Sequence, residues 1–409
     1  LSRHVAEVVV AGHICLDIIP TIYEKQSGMD ALLVPGKLVD IGPAVLSTGG
    51  AVSNTGIALH RLGSQVNLMG KIGKDPFGET ILSLLRQYDE SLVEGMIAVA
   101  GENSSYSIVI SPPHIDRAFL HATGANDTYS AADLNMEQLR GARLFHFGYP
   151  PLMRSMYEQG GRELTNLLKQ VKAQGLTVSL DMAKPDPESD AGKADWRAIL
   201  KDALPYVDVF MPSFEEVLYM LNRERFQLLS QEAPTEDLLP YASGSLLFEL
   251  SEQLLDMGAA IVAFKLGEHG LYVRTTSDEG RLSAMGLCAP SSSMRQNWLG
   301  CEFITSCYEV DVKGTTGAGD CTIAGFLFSL LKGSSVEDSL HAAVGVGAFN
   351  VEQADATSGI PPWADVRGRI SRGWAKREMK LSLTDWFVNE QELWIGPHHK
   401  CQVTGRDAE

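Results

Sequence analysis

Apolar and polar positions become regular from residue 142 onward. Leu144-Phe145-His146-Phe147 predicts a strand and residues 155–174 a helix; Leu176 to Leu180 predicts a strand and 195–203 a helix. Val207-Asp208-Val209-Phe210 and Ile261-Val262-Ala263-Phe264 read as further strands, with a helix over 214–222 between them. Short apolar runs bounded by turn residues suit buried strands, and the longer amphipathic stretches suit helices. Such alternation implies a mostly parallel sheet covered on both faces. Sheets of that kind bind ligands beyond the carboxyl ends of their strands. Asp181, Ser213, Lys265 and the segment 314–320 all follow strands or sit at such ends.

The first third is less even. Val8-Val9-Val10-Ala11-Gly12 reads as a buried first strand ending in a turn. Residues 13–48 are broken by Gly28, Pro35, Gly36, Gly42 and Pro43, which suits a small sheet outside the main core. Residues 51–63 predict an amphipathic helix, Val66 to Met69 a strand, and Tyr106 to Ile110 a half-exposed strand. Asp75-Pro76 opens a helix, with Asp75 as N-cap and Pro76 at the first helical position. Residues 223–245 read as a surface insertion, and Gln231 to Glu236 as loop. After Pro361-Pro362 comes a tail with a basic patch, Arg367 to Lys380, for which extra helices packed on the core are expected.

Composition narrows the partners. The 409 residues carry 51 acidic against 34 basic side chains, a formal net charge of −17. That surface repels nucleic acid and anionic membranes, so neither is expected as a partner. No apolar run approaches the ~18 residues that a spanning helix needs. Leu1 to Val10 lack the basic-then-apolar layout of a signal peptide. Six scattered cysteines, Cys15, Cys288, Cys301, Cys307, Cys321 and Cys401, contain no Cys-x-x-Cys pair and read as free thiols. A cytoplasmic location is the expectation.

Chemistry concentrates in Gly314-Thr315-Thr316-Gly317-Ala318-Gly319-Asp320, followed by a helical apolar run from Ile323 to Leu331. Small residues let backbone approach a ligand closely. A helix beginning there points free N–H groups and its positive dipole end outward. Asp320 adds a proton acceptor at that mouth. An anion cradle with a base beside it is what phosphoryl transfer to a hydroxyl requires, so the chain reads as a small-molecule kinase.

Two distant segments then resemble one family. Gly49-Gly50-Ala51-Val52-Ser53-Asn54, with Gly63 and Gly70-Lys71-Ile72-Gly73, resembles the N-terminal signature of the ribokinase-like (PfkB) carbohydrate kinases. Gly314 to Asp320, continuing into Ala324-Gly325-Phe326-Leu327, resembles their C-terminal signature. The resemblance implies an α/β fold: a three-layer α/β/α sandwich with a mostly parallel central sheet and a small β-sheet lid. The kinase domain would span 1–362, its lid drawn from roughly 13–48 and 100–126, with 363–409 a C-terminal extension. It also implies ATP as phosphoryl donor, Mg2+, and a sugar or sugar acid as acceptor.

Residue by residue, the family's general base falls on Asp320, and its anion hole on the amides of Gly317, Ala318 and Gly319. The acceptor would be held by Asp17, Gly49, Gly50 and Asn54. The nucleotide would meet Lys265, Gly267, Gly270, Thr315 and, at the adenine edge, Asn350. Glu216 would help place magnesium through water, although Ser213 stands where the family's Asn-x-x-Glu motif begins. His121 and Asn126 fall where family lids return to the core, and His13 reads as packed beside the first strand. Gly314 stands where many members carry an Asp that helps hold a monovalent cation, which speaks against potassium activation.

Two other readings stay open at this point. One is a nucleoside kinase on the same fold, with Phe119, Phe147 and Tyr149 as an aromatic wall; the other is a noncatalytic regulatory binding protein. A homodimer through the lid is also compatible with the sequence. A dinucleotide-dependent dehydrogenase is disfavoured, because Gly12-His13-Ile14-Cys15 supplies no Gly-x-Gly-x-x-Gly.

Overall fold

The computed structural model describes residues 6–23, 32, 34–112, 118–235 and 237–400. Among these, one ten-stranded sheet forms the body. Six of its strands run parallel, in the spatial order Ile261–Lys265, Val209–Phe210, Thr177–Asp181, Leu144–Gly148, Val8–Gly12 and Val66–Met69. Leu271–Thr275 and Glu302–Thr305 continue it antiparallel. The chain is therefore α/β, as its periodicity predicts.

The layers follow from alternation along buried strands. Val8 and Val10 pack on one face with Ile57, Leu59, Phe326 and Leu340; Val9 packs on the other with Phe145, Leu164, Leu200 and Leu250. The first face is covered by the helices Ala51–Leu62, Ala318–Leu331 and Val336–Val351. The second is covered by Arg154–Lys172, Trp196–Ala203, Phe214–Leu221 and Gly244–Asp256. Both faces are dry, and polar residues inside the strands pair with one another, as His146 does with Ser179 at 3.0 Å, while the site residues gather at the carboxyl ends. There Gly12 pairs with Gly148, Gly148 with Asp181, and Ser213 bridges Lys265. These residues form one row along a single edge.

A separate four-stranded sheet stands beyond that edge, in the order Ala44–Gly49, Cys15–Pro20, Tyr106–Ile110, Ala118–Ala122. It corresponds to the expected lid; residues 24–31, 33 and 113–117 of the expected lid lie outside the described residues. Exposed Leu46 and Leu120 lie on the face that the register shares with Ile18 and Ile108, and exposed Val45 and Phe119 on the opposite face, shared with Asp17 and His121.

Three expectations change. The tail after residue 362 forms one helix, Trp363–Ser371, and then two short strands, Phe387–Val388 and Trp394–Ile395, that extend the main sheet antiparallel beside Glu302–Thr305. β-branched and aromatic pairs with Asn389 between them favour a hairpin over a helix. The insertion at 223–245 contains a helix, Arg223–Glu232, which buries no residue and so carries no apolar stripe to betray it. The helix expected over 155–174 is interrupted at Glu158–Gly161, where Gln159, Gly160 and Gly161 take positive φ. Among the described cysteines all five are free; Cys401 lies outside them.

Candidate active site

Glycines set the site where two chains must touch. A Cβ on Gly12 would lie 2.4 Å from the Gly148 carbonyl oxygen, so the first strand can leave the sheet only through glycine. The exit delivers His13 and Asp17. A Cβ on Gly49 would lie 2.3 Å from Asp17 Oδ2, and one on Gly50 2.5 Å from His13 Nδ1. Gly50 also takes φ +88 at the mouth of the Ala51–Leu62 helix. The Gly49-Gly50 pair therefore exists because Asp17 and His13 press against its backbone.

That helix carries Asn54 and Thr55 to Asp320, across 265 residues of sequence. Asn54 Nδ2 donates to Asp320 Oδ2 at 3.0 Å, and Thr55 Oγ1 donates to Oδ1 at 3.4 Å. The Tyr149 hydroxyl lies 2.9 Å from each oxygen. Asp320 sits in the first turn of the Ala318–Leu331 helix, behind Gly317 in the left-handed region at φ +72. Burial raises its carboxyl above the ordinary range; the Lys265 charge pulls it back, as do the bonds from Asn54, Tyr149 and Thr55. Asp17, on the lid, is also raised by burial, against bonds from Cys15 and Ser107.

Lys265 ends its strand inside the site, with Nζ 2.5 Å from Asp181 Oδ1. Burial pushes its ammonium down but is outweighed by Asp181, then Glu216 and Asp320, so it stays charged. A Cβ on Gly319 would lie 3.3 Å from Lys265 Cδ, which places the lysine stem across the start of the motif helix. Glu216 closes a capping box with Ser213, accepting from the Ser213 N–H at 2.7 Å. The serine that departs from the family motif thus serves as a helix cap.

A cavity of about 560 Å3 opens on this cluster. Of the expected nucleotide and anion residues it is lined by Lys265, Gly267, Gly270, Thr315, Ala318 and Gly319, with Glu216 at one side. Val310, Val312, Val344 and Val351 give its far end an apolar wall. Asn350 is a correction. It is buried behind the cavity, and its Nδ2 donates to the carbonyls of Thr316 and Ala356 at 3.1 and 2.6 Å. It braces the glycine-rich loop, while its helix neighbours Gly347, Ala348 and Val351 face the space. Of the three expected anion-hole amides, the Ala318 N–H already donates to the Thr315 carbonyl at 3.3 Å.

Several contributors were not assigned from the sequence. Asp181 was legible only as a strand-end acid, and Tyr149 only as a possible aromatic wall. Phe147 is fully buried against Tyr129 and Phe145, so it forms no such wall. Arg377, from the C-terminal extension, lines the cavity and is paired with Glu268 at 2.5 Å. No local pattern announces a residue that reaches the site from another layer.

Two clusters could interest a metal. Asp181, Glu216 and Asp320 set three carboxylates around one lysine, and Asp181 Oδ2 is buried without a partner. That surplus of hard oxygen and negative charge fits Mg2+. His13, Cys15 and His121 have ligand atoms within 4.8 Å of one another. Each already has a protein partner: His13 Nε2 meets His121 Nε2 at 3.2 Å, His121 Nδ1 meets Ser107 at 2.9 Å, and the Cys15 thiol donates to Asp17 at 3.4 Å. Asn126 holds the lid root, bonding the Ile14 N–H and carbonyl.

Comparison with known proteins bears on the fold and the family. The family model described as pfkB family carbohydrate kinase matches residues 5–363. A protein named as an uncharacterized sugar kinase of Archaeoglobus fulgidus is 25% identical over 309 residues, 76% of this chain and 100% of its own length. The 2-dehydro-3-deoxygluconokinase of Bacillus subtilis is 24% identical over 332 residues, 80% of this chain and 87% of its own. Among solved structures, a ribokinase from Giardia lamblia superposes with a TM-score of 0.65 at 19% identity, covering 90% of this chain and 99% of its own. An Arabidopsis thaliana ribokinase complexed with ribose and ATP gives 0.63 at 18% identity, over 89% and 98% of the two chains. At these identities the structural likeness speaks for the fold.

Proposed function

Since the chain belongs to the pfkB family of carbohydrate kinases, we propose that it transfers the γ-phosphoryl group of ATP to a hydroxyl of a sugar or sugar acid, with Asp320 as general base. The observation that carries this reading is the meeting, at one buried carboxylate, of the early Gly-Gly segment, through Asn54 and Thr55, and the late glycine motif, beside a nucleotide-sized cavity.

ATP would enter the cavity with its base against the valine wall and its phosphates toward Lys265 and the motif helix. Asp17 would accept acceptor hydroxyls beside Gly49 and Gly50, with Asn54 donating. Asp320 takes the proton as the hydroxyl oxygen attacks in line. The amides of Gly317, Ala318 and Gly319 face the charge that develops on the transferring group, the long Ala318–Thr315 bond giving way. Bound Mg2+ would neutralise phosphate oxygens; Glu216 and Asp181 would hold it, through water. Lys265 cancels part of the surplus negative charge and pulls Asp181, Glu216 and Asp320 back toward the ionised form, against burial, which still leaves Asp181 raised to about 8. The lid, closing on acceptor, would keep water out.

Exposed Leu46 and Leu120, on one face of the lid with Ile18 and Ile108, support pairing of two copies there. A coupled ATP-consumption screen over neutral sugars, sugar acids and nucleosides tests the central reading. Phosphorylated product from a sugar or sugar acid is expected. Turnover restricted to nucleosides, or none at all, would overturn it.

A further inference from the structure

An ionised carboxylate offers about four lone-pair directions, and around Asp320 three donors already engage both oxygens. Asn54 serves Oδ2, Thr55 serves Oδ1, and the single Tyr149 hydroxyl reaches both at 2.9 Å. A general base must accept a hydrogen bond from the hydroxyl that it deprotonates. Tyr149 spans both oxygens, so an arriving hydroxyl meets its phenol whichever oxygen it approaches. Asn54 and Thr55 are buried on consecutive positions of the Ala51–Leu62 helix and are fixed by it. Tyr149 borders the nucleotide cavity and leans toward His13, their rings 6.1 Å apart. Its phenol thus lies between the donor side and the acceptor side.

The backbone at Tyr149 points the same way. It adopts φ 65 and ψ 43, immediately before Pro150. A left-handed conformation is costly for a bulky residue, and a following proline disfavours helical backbone further. Such strain persists where surroundings over-determine it and clusters at working sites. Here the Tyr149 N–H is held by the Asp181 carbonyl at 3.3 Å, and its own carbonyl by the Leu152 N–H at 3.0 Å. The main chain at Tyr149 is anchored in that conformation.

We propose that the Tyr149 hydroxyl is a built-in stand-in for the acceptor hydroxyl, holding Asp320 in the empty site and releasing it only when the acceptor binds, so that ATP is not hydrolysed meanwhile. No bond is made or broken in this step; one hydrogen-bond donor replaces another. The inference rests on the kinase reading above and adds a positioning role to it.

The test measures ATP hydrolysis without acceptor, and full kinetics with an acceptor found in the screen, for wild type, Tyr149→Phe, Tyr149→Met and Tyr149→Phe/Asp320→Asn. Removing a hydrogen bond to a charged group should raise the acceptor-independent rate about tenfold or more in Tyr149→Phe. The acceptor KM should fall by a larger factor than kcat changes, and the double variant should lose the leak, because the leak runs through Asp320. Tyr149→Met should leak likewise if the Phe variant fails to melt cooperatively. A wild-type leak in both variants with a lower kcat would overturn the inference, as would a leak that survives Asp320→Asn. Wild type inactive on every acceptor would instead sink the kinase reading itself.

Discussion

Asp320 is where electrostatics and position coincide. Replacing it by Asn keeps the shape and removes the proton acceptor, so kcat should fall by at least about 10²-fold in the coupled assay, in keeping with loss of a general base. Only the ionised carboxylate can act. Because burial raises its pKa, kcat/KM should fall with falling pH through a value above the ordinary aspartate figure of about 3.9. Lys265 is the charge that pulls this carboxyl down. Lys265→Met should therefore move that acidic limb to higher pH; an unmoved limb would separate Lys265 from the base. Asp17→Ala should mainly raise the acceptor KM, since Asp17 presses on Gly49 away from the phosphoryl path. Asp17, Asp320 and the glycines between them were legible in the sequence. Tyr149 was not placed, because nothing near it in the chain says that its hydroxyl meets a carboxylate 171 residues away.

Individual elements repeat this division. Asp75-Pro76 announces a helix start, and Asp75 does accept from the Gly78 N–H at 2.7 Å. It also receives the Ser104 N–H and hydroxyl, both at 2.7 Å, tying the helix to a loop 29 residues on. Asp75→Ala should cost about 1–2 kcal/mol of stability by chemical denaturation. Slight burial pushes this carboxyl up, but the bonds from Ser104 and Gly78 outweigh it and its pKa is lowered. Its contribution is then full above the unfolded value of about 3.9 and is lost as pH falls through the lower folded value. The Ala variant should accordingly converge on wild type in acid. Asn350 shows the opposite case. The resemblance put it at the adenine edge, but which face of its helix met the cavity depended on packing against the loop at 314–320.

For the whole molecule, the C-terminal extension matters most. Tyr308 stacks on Trp374 at 4.5 Å, and the extension then returns Arg377 to the cavity opposite Glu268. Arg377→Ala should raise the ATP KM severalfold and leave the acceptor KM nearly unchanged, as expected for a side chain that touches one ligand only. The lid face carries the other prediction. Light scattering should find a dimer, and Leu46→Asp with Leu120→Asp, on the same face of the lid, should give monomers, because charges at an apolar interface are strongly unfavourable. A monomeric wild type would remove the lid pairing.

Periodicity alone determined the parallel α/β body, since strands buried on both faces must be continuously apolar and their covering helices must be amphipathic. The glycine motif likewise announced a place of close packing, where Gly314 and Gly317 meet residues 353–356, because close backbone approach demands small residues wherever it occurs. Tertiary structure decided which donors surround Asp320, that Asn350 braces the loop, and that the tail supplies strands and Arg377. Those outcomes depend on contacts between separate segments, from 34 residues apart for Asn350 and Thr316 to 266 for Asn54 and Asp320, and local propensity carries no record of such contacts.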